Sequence, residues 1–125
     1  MVNEEETVLE KLEPQAKLWL ELNGEHILGR GGALLLRGIV EKGSISQALK
    51  ALPKDTLGEI DSPSYRFAWG YLQKMEERIG APIVEKRRGH SDGKGGTALT
   101  QLGLKLLDLY ESYEKKLTQL LSTKS

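Results

Sequence analysis

Hydrophobic and polar residues alternate with two different periods along the chain, and the changes of period predict its elements. Leu18, Leu20 and Leu22 occupy every second position of one run, and a second apolar run at residues 27–28 follows an Asn-Gly pair at residues 23–24. An Asn-Gly pair between two such runs predicts a β-hairpin, because both residue types tolerate positive φ. The polar residues 3–13, which precede the hairpin, are compatible with a helix that Pro14 ends.

Two consecutive helices are predicted after the hairpin. Three glycines within residues 29–32 indicate a break, and residues 33–42 follow with an apolar helical pattern that a glycine closes. Ser44 and Gln47 then match a capping box, in which the serine hydroxyl and the glutamine side chain each satisfy a free backbone amide. A short second helix is therefore expected to run to residue 52.

A third helix and a two-stranded segment come next. Ser62-Pro63 predicts the start of the helix, with serine as the cap and proline in the first turn. One stripe of residues at spacings of three and four is expected to be buried: Ala68, Leu72, Met75 and Ile79. Residues 83–87 and 97–99 predict two strands that flank the glycine-rich segment 89–96.

Thr100 is expected to cap a last helix that runs to about residue 121. Six apolar residues lie along one side of it near heptad spacing: Leu102, Leu106, Leu109, Tyr113, Leu117 and Leu120. This side is longer than a three-helix core requires, and it predicts a dimer contact. The alternative is that Leu102, Leu106 and Leu109 pack within their own domain.

The order of these elements is hairpin, three helices, strand, glycine-rich loop, strand and helix. Three helices followed by a two-stranded wing are the plan of the winged helix-turn-helix. We therefore predict a mainly α fold with small β content: a winged helix-turn-helix with an N-terminal hairpin and a C-terminal dimerisation helix. Residues 1–16 would be an acidic N-terminal arm, residues 17–100 the winged helix-turn-helix domain and residues 101–125 the dimerisation helix.

Composition narrows the function class. The 125 residues suit one domain with a short extension, and the absence of cysteine excludes disulfides, thiolate metal sites and cysteine nucleophiles. The net charge is zero, but residues 1–27 hold seven Glu against two Lys, whereas residues 62–105 hold eight Lys or Arg against four acids. A basic middle permits binding of nucleic acid through one face. We expect a cytoplasmic protein with no cofactor or metal, and we expect no enzymatic activity.

The residues themselves resemble the DNA-binding domain of ModE-type, molybdate-responsive transcription regulators, which is related to the LysR-type helix-turn-helix. The resemblance spans roughly residues 17–110 and rests on four segments: Gly43-Ser44-Ile45-Ser46-Gln47-Ala48, Ser64-Tyr65-Arg66-Phe67-Ala68-Trp69, Met75-Glu76-Glu77-Arg78-Ile79-Gly80 and residues 93–103 with their glycine-rich start. It implies a regulator that binds double-stranded DNA, usually as a homodimer.

Two departures from that family change what the resemblance implies. Residues 53–63 lengthen the turn between the second and third helices well beyond the ~3–4 residues usual in such motifs. We expect no counterpart of the family's oxyanion-binding domain in residues 101–125, where a single helix is predicted. We therefore expect that molybdate neither binds this chain tightly nor alters its affinity for DNA.

Candidate DNA-binding residues follow from this plan. Arg66 can pair bidentately with guanine and Gln73 with adenine, while Ser64 and Tyr65 are placed to hold phosphates. The complete candidate set is Ser44, Ser64, Tyr65, Arg66, Trp69, Gly70, Gln73, Lys86, Arg87, Arg88 and Lys94. Alternatively, Tyr65 and Trp69 complete the core, and Arg66 is an ordinary surface charge.

The wing supplies the last four members of that set. Its basic residues, which surround the glycine-rich loop, would neutralise phosphates or enter the minor groove. The alternative is a solvated hairpin whose charges serve solubility. The competing function is that of a winged-helix protein-interaction module that does not bind DNA.

Overall fold

The structure is a computed structural model, and it describes residues 3–53, 64–87 and 96–122. The described residues are mainly helical, with two small antiparallel sheets. In chain order the elements are α1 (Glu4–Lys11), β1 (Trp19–Leu22), β2 (Glu25–Gly29), α2 (Arg30–Lys42), α3 (Ile45–Lys50), α4 (Tyr65–Ile79), β3 (Val84–Arg87), β4 (Gly96–Leu99) and α5 (Gln101–Ser122). The predicted Ser62-Pro63 start, most of the enlarged turn, and Arg88 and Lys94 lie outside the described residues.

The predicted hairpin is confirmed. Strands β1 and β2 pair antiparallel, from Trp19 opposite Gly29 to Leu22 opposite Glu25. The turn residues Asn23 and Gly24 have φ values of 52° and 83°. Two successive residues with positive φ give the turn the right-handed twist that a hairpin requires, which explains the Asn-Gly sequence.

The break predicted at residues 29–32 is wrong, because helix α2 begins at Arg30 and includes Gly31 and Gly32. Packing explains why glycine occupies the first turn of this helix. A Cβ at Gly32 would lie less than 3.0 Å from the Tyr71 hydroxyl and 2.8 Å from the Leu28 side chain. The glycine therefore permits close packing of α2 on α4 and β2 rather than ending a helix.

Serine caps fix the starts of α3 and α4. The Ser44 hydroxyl accepts a hydrogen bond from the Gln47 amide at 3.0 Å, as the capping box predicts. The Ser64 hydroxyl accepts from the Phe67 amide at 3.1 Å, so the cap of α4 is Ser64 and not the predicted Ser62. The cap hydrogen bond therefore identifies Ser64 as the residue at which α4 begins.

The hydrophobic core lies around α2, which contacts α3, α5, β2 and β4. Leu35 and Leu36 of α2 are fully buried there. The predicted stripe of α4 is confirmed, since Ala68, Leu72 and Met75 are buried and Ile79 packs against the core. No helix in the described part of the chain is long and apolar enough to cross a membrane.

Helix α5 begins at the predicted cap. The Thr100 hydroxyl accepts from the Gly103 amide at 3.1 Å and donates to the Pro82 carbonyl at 2.8 Å. The side that α5 buries is Gly103, Leu107 and Tyr110. That side differs from the predicted apolar stripe, of which only Leu106 is packed against the core.

Candidate nucleic-acid interface

Helix α4 presents a continuous exposed face that contains the predicted recognition residues. Tyr65, Arg66, Trp69, Gly70 and Gln73 are all exposed. At ~100° per residue these positions cover roughly 140° of the helix circumference, from Tyr65 beside the buried stripe to Gly70 on the far side of the helix. The same spacing brings Arg66 and Gln73 to within ~20° of each other, separated by ~10 Å along the axis. The structure thus assembles these five candidates on one surface.

The two aromatic candidates on this helix do not complete the core. Tyr65 is 54% exposed and Trp69 is 39% exposed, and they lie one turn apart on the same side. Two other aromatic residues, Phe67 and Tyr71, pack against the core instead. A large apolar area on an otherwise polar helix face is typical of a contact surface.

The acidic residue Glu77 limits the basic part of this face to its N-terminal half. Glu77 is exposed, and the helical repeat places it within ~40° of Arg66 and Gln73 but one turn beyond Gln73. A carboxylate so placed opposes the approach of phosphates. The part of α4 from Tyr65 to Gln73 is therefore the part suited to an anionic partner.

Glu76, which sequence reasoning did not single out, fixes the orientation of α4. Its carboxylate accepts hydrogen bonds from the backbone amides of Ile83 and Val84, at 2.7 and 3.2 Å. One charged acceptor thus joins the end of α4 to the start of β3 across the turn at Gly80. The only signal in the sequence is an acid one turn before a helix-ending glycine, which is too common to identify this role.

Arg78 holds the other side of the same turn. Its guanidinium donates to the His26 carbonyl at 2.6 Å and lies 3.4 Å from the Glu25 carboxylate. The hairpin β1–β2 is therefore docked on α4, and the exposed face of the helix is supported from behind by a second element.

Ser44 and Ser64 have a structural task at the helix starts. Each hydroxyl oxygen accepts a backbone amide, as described above. Ser64 is exposed and Ser44 is half-buried. Each hydroxyl retains its hydrogen as a donor, so capping leaves one bond for an anion at either position.

Strands β3 and β4 carry the described part of the wing. They pair antiparallel from Val84 opposite Leu99 to Arg87 opposite Gly96. Lys86 and Arg87 are exposed. The Arg87 guanidinium lies beside Gly43, where an added Cβ would be 2.7 Å from Nη1. Because Gly43 immediately precedes Ser44, this contact brings a wing cation to the start of α3.

Backbone contacts hold the wing against the helices. The Thr97 amide donates to the Gly43 carbonyl at 2.8 Å, and the Thr100 amide donates to the Ile83 carbonyl at 2.9 Å. At Gly103 an added Cβ would lie closer than 3.0 Å to that same Ile83 carbonyl oxygen. The glycine allows α5 to approach β3 closely, which explains one residue of the segment that resembles ModE-type regulators.

The predicted dimer face of α5 points away from the core. Leu109 is 50% exposed and Leu120 is 70% exposed, and Leu102 and Tyr113 are also exposed. Leu106 and Leu117 are half-buried. The alternative, in which Leu102, Leu106 and Leu109 pack within their own domain, holds for Leu106 alone, because Leu106 packs against the core whereas Leu102 and Leu109 are exposed.

Comparison with known proteins adds a family context to this geometry. No protein-family model matches the chain. Over 81 residues, 65% of its length, it is 37% identical to "Transcriptional regulator ModE" of Haemophilus influenzae. This chain is similar to a transcription regulator. Over 96 residues, 77% of its length, it is 33% identical to "Molybdenum-pterin-binding protein MopB" of Rhodobacter capsulatus.

The similarity covers a minor part of each relative. The aligned segments span 28% of the ModE protein and 32% of the MopB protein. The two relatives are a regulator and a binding protein, and neither is named as an enzyme. The identities thus support a ModE-like relationship for this chain, and they concern about a third of such proteins.

Proposed function

We propose that this chain is a winged helix-turn-helix module of a transcription regulator, which binds specific sequences in double-stranded DNA as a dimer. The observation that carries the proposal is the exposed α4 face with Arg66 and Gln73 at its centre. The similarity to a ModE regulator supports it. In this reading residues 17–100 are the DNA-binding domain, and residues 101–125 supply the dimer contact.

The proposed recognition chemistry uses α4 in the major groove. Arg66 and Gln73 are separated by ~10 Å along the helix, and at 3.4 Å per base step this distance corresponds to about three base pairs. Arginine pairs with the O6 and N7 edge of guanine, and glutamine with the N6 and N7 edge of adenine. Tyr65 and Ser64 at the helix start would hold the neighbouring phosphate.

The wing would supply contacts that do not depend on sequence. Lys86 and Arg87 are exposed cations, and Arg87 lies beside the start of α3. Phosphates that run along this edge would meet the Ser44 hydroxyl next. Arg88 and Lys94, which lie outside the described residues, extend the same basic run in the sequence.

The experiment that tests specific recognition compares two kinds of DNA. A site is first selected from a random duplex library, and binding of that site and of scrambled DNA is then followed by fluorescence anisotropy. Arg66→Ala should weaken binding to the selected site by ~1–3 kcal/mol, about 5- to 150-fold, with little change on scrambled DNA. Lys115→Ala, which removes an exposed charge from the far half of α5, is the matched control. Equal losses on both DNAs would show that Arg66 holds only phosphate.

The wing is tested by salt dependence. Lys86→Ala and Arg87→Ala should weaken binding to all sequences and reduce the slope of log K against log salt by ~1 each. An unchanged slope would remove the wing from the interface. A failure of the parent chain to bind any selected duplex would favour the second candidate, a protein-interaction module, for which the exposed Tyr65 and Trp69 provide a suitable surface.

The proposed dimer uses the outer face of α5. A two-fold axis there would set two α4 helices ~34 Å apart, one turn of DNA. Truncation after Tyr110 should give monomers and weaken binding to a palindromic site. Leu109→Glu with Tyr113→Glu changes two exposed residues and should give the same result without removing core contacts. A parent chain that sediments as a monomer at micromolar concentration would contradict the dimer.

The absence of a molybdate response stays a prediction. The protein named as molybdenum-pterin-binding, MopB, is similar to this chain over only 32% of its own length. Calorimetry with molybdate, followed by DNA titration at fixed ionic strength with and without it, tests the point. We expect no heat of binding in the micromolar range and no shift in DNA affinity.

A further inference from the structure

Helix α1 is formed in the structure, but it buries none of its own residues. It is capped at both ends, because the Asn3 side chain accepts from the Glu6 amide at 2.8 Å and the Leu12 amide donates to the Leu9 carbonyl at 3.3 Å. None of its residues is buried, and Val8, Leu9 and Leu12 are 57–65% exposed. An isolated helix of this length is marginal in water. A partner surface is needed to hold it.

The apolar residues of α1 lie on one side. At ~100° per residue Val8, Leu9 and the C-cap residue Leu12 fall within an arc of roughly 100°, and Glu5 lies inside the same arc. Glu6 and Glu10 lie on the other side. The docking face of α1 is therefore a small apolar patch with one carboxylate at its first turn.

A groove of matching character lies elsewhere on the molecule. It encloses about 920 Å³ between the start of the hairpin, the first turn of α2 and the second half of α5. Leucines form its apolar lining: Leu18, Leu34, Leu117 and Leu121. Lys17 and Arg30 line its basic end, and Glu114 also contributes to the wall. No residue of α1 in the same chain lines it.

The charges of the helix and the groove are complementary. The first turn of α1 carries Glu4, Glu5 and Glu6. The groove contains Arg30 and the start of α2, and the N-cap residue of α2 is Gly29, which has no side chain to cap the first amides of the helix. The free amides of a helix start carry partial positive charge and favour a carboxylate. The acidic first turn of α1 therefore suits the basic end of the groove.

We propose that the groove of one protomer holds α1 of a second copy of this chain, so that the two copies exchange their N-terminal helices. The inference rests on the dimer of the proposed function. Leu117 belongs both to the groove and to the outer face of α5, so a partner bound on that face reaches the groove rim. In a two-fold dimer the exchange occurs twice, and each copy gives and receives one helix.

Cysteine pairing tests the exchange directly, since the chain has no cysteine of its own. Leu9→Cys in one preparation and Thr118→Cys in another are mixed, exchanged through mild denaturant and oxidised. Thr118 lines the groove. We expect a disulfide between positions 9 and 118 of different chains, identified by peptide mass spectrometry. A chain with both substitutions that forms mainly an intrachain bond, or a mixture that forms no such bond, would overturn the proposal.

A second mixture distinguishes the exchange of α1 helices from the alternative that α1 covers the exposed face of α4. Leu9→Cys combined with Gln73→Cys would be cross-linked if the acidic arm covered the α4 face instead. A dominant bond between positions 9 and 73 would overturn the exchange and assign α1 to the recognition surface. A dominant bond between positions 9 and 118 supports the exchange.

Dimer affinity gives a readout without cross-linking. Val8→Asp with Leu9→Asp should raise the dissociation constant of the dimer at least tenfold in sedimentation, while Glu10→Gln on the opposite side leaves it unchanged. Anisotropy on the selected DNA site is measured in parallel. A chain that dimerises and binds DNA but is insensitive to the double change refutes only the exchange. A chain that neither dimerises nor binds DNA refutes the proposed function and, with it, the exchange.

Discussion

Replacing glycine by alanine is expected to have opposite effects on stability at Gly103 of α5 and at Gly70 of α4. At Gly103 an added Cβ would press on the Ile83 carbonyl oxygen and lie 3.2 Å from the Ile83 Cγ2 atom. At Gly70 an added Cβ would meet nothing within 4 Å. Gly70 and Gly103 both occupy helical positions. Replacement by alanine therefore gives a similar gain in helix propensity at each, ~1 kcal/mol.

The cost at Gly103 follows from what the Ile83 carbonyl does. It accepts a hydrogen bond from the Thr100 amide at 2.9 Å, and it shares the hydrogen of the Thr100 hydroxyl, 3.2 Å away, with the Pro82 carbonyl. Moving it weakens one or both bonds, at ~1 kcal/mol each, and forcing a methyl group into a filled contact costs ~1–3 kcal/mol. After the helix gain of ~1 kcal/mol is subtracted from these two costs, Gly103→Ala should lower the free energy of unfolding by ~1–4 kcal/mol.

Urea denaturation followed by far-ultraviolet circular dichroism measures both variants against the parent chain. Gly103→Ala should unfold at lower urea, and Gly70→Ala should unfold at higher urea by an amount that corresponds to ~0.5–1 kcal/mol. A Gly103→Ala protein as stable as Gly70→Ala would refute the close approach of α5 to β3. Gly70→Ala should also weaken DNA binding despite its higher stability, if the helix backbone approaches the duplex at that point.

Two further predictions concern the contacts that orient α4 and the hairpin. Glu76→Ala leaves the Ile83 and Val84 amides without their acceptor and should cost ~1–3 kcal/mol in urea denaturation; Glu76→Gln keeps one acceptor oxygen and should cost less, and equal losses would contradict the carboxylate bridge. Burial raises the pKa of Tyr71 and of Tyr110 above the usual value near 10. Each phenol therefore contributes stability that is present below about pH 10 and is lost as the pH rises through its raised pKa. Tyr71→Phe should flatten the alkaline decline in unfolding free energy, measured by denaturation from pH 9 to pH 11, and an unchanged decline would contradict its burial as the cause.

Signals that act over a few residues predicted most of the elements. The Asn23-Gly24 turn, the Ser44 cap, the Thr100 cap and the α4 stripe each depend on contacts within one turn or one hairpin. Such contacts depend only on residues close together in the chain, so they can be predicted from the sequence, and the structure contains them at the predicted positions. The order of elements then followed from their spacing alone.

Errors arose where distant residues decide the local conformation. The glycines at 29–32 look like a break, yet α2 includes Gly32 because Tyr71, far along the chain, packs against it. The predicted cap of α4, Ser62, is wrong, since the residue that caps this helix is Ser64. In a sequence, a run of glycines indicates a flexible break in the chain. Here Gly32 is required because the Tyr71 and Leu28 side chains leave no room for a Cβ.

The candidate site divides in the same way. The sequence by itself predicted that Arg66, Gly70 and Gln73 of α4 lie outside the buried stripe, because helical periodicity requires nothing beyond the helix. It left open whether Tyr65 and Trp69 complete the core, and the structure has both of them exposed. The sequence could not determine which leucines of α5 face outward, since apolar residues occur on several sides of that helix. The tertiary structure decided this through Gly103, whose close approach to Ile83 turns Leu107 and Tyr110 inward and leaves Leu109 exposed. The rotation of a helix about its axis is fixed by its neighbours, so only their packing could settle it.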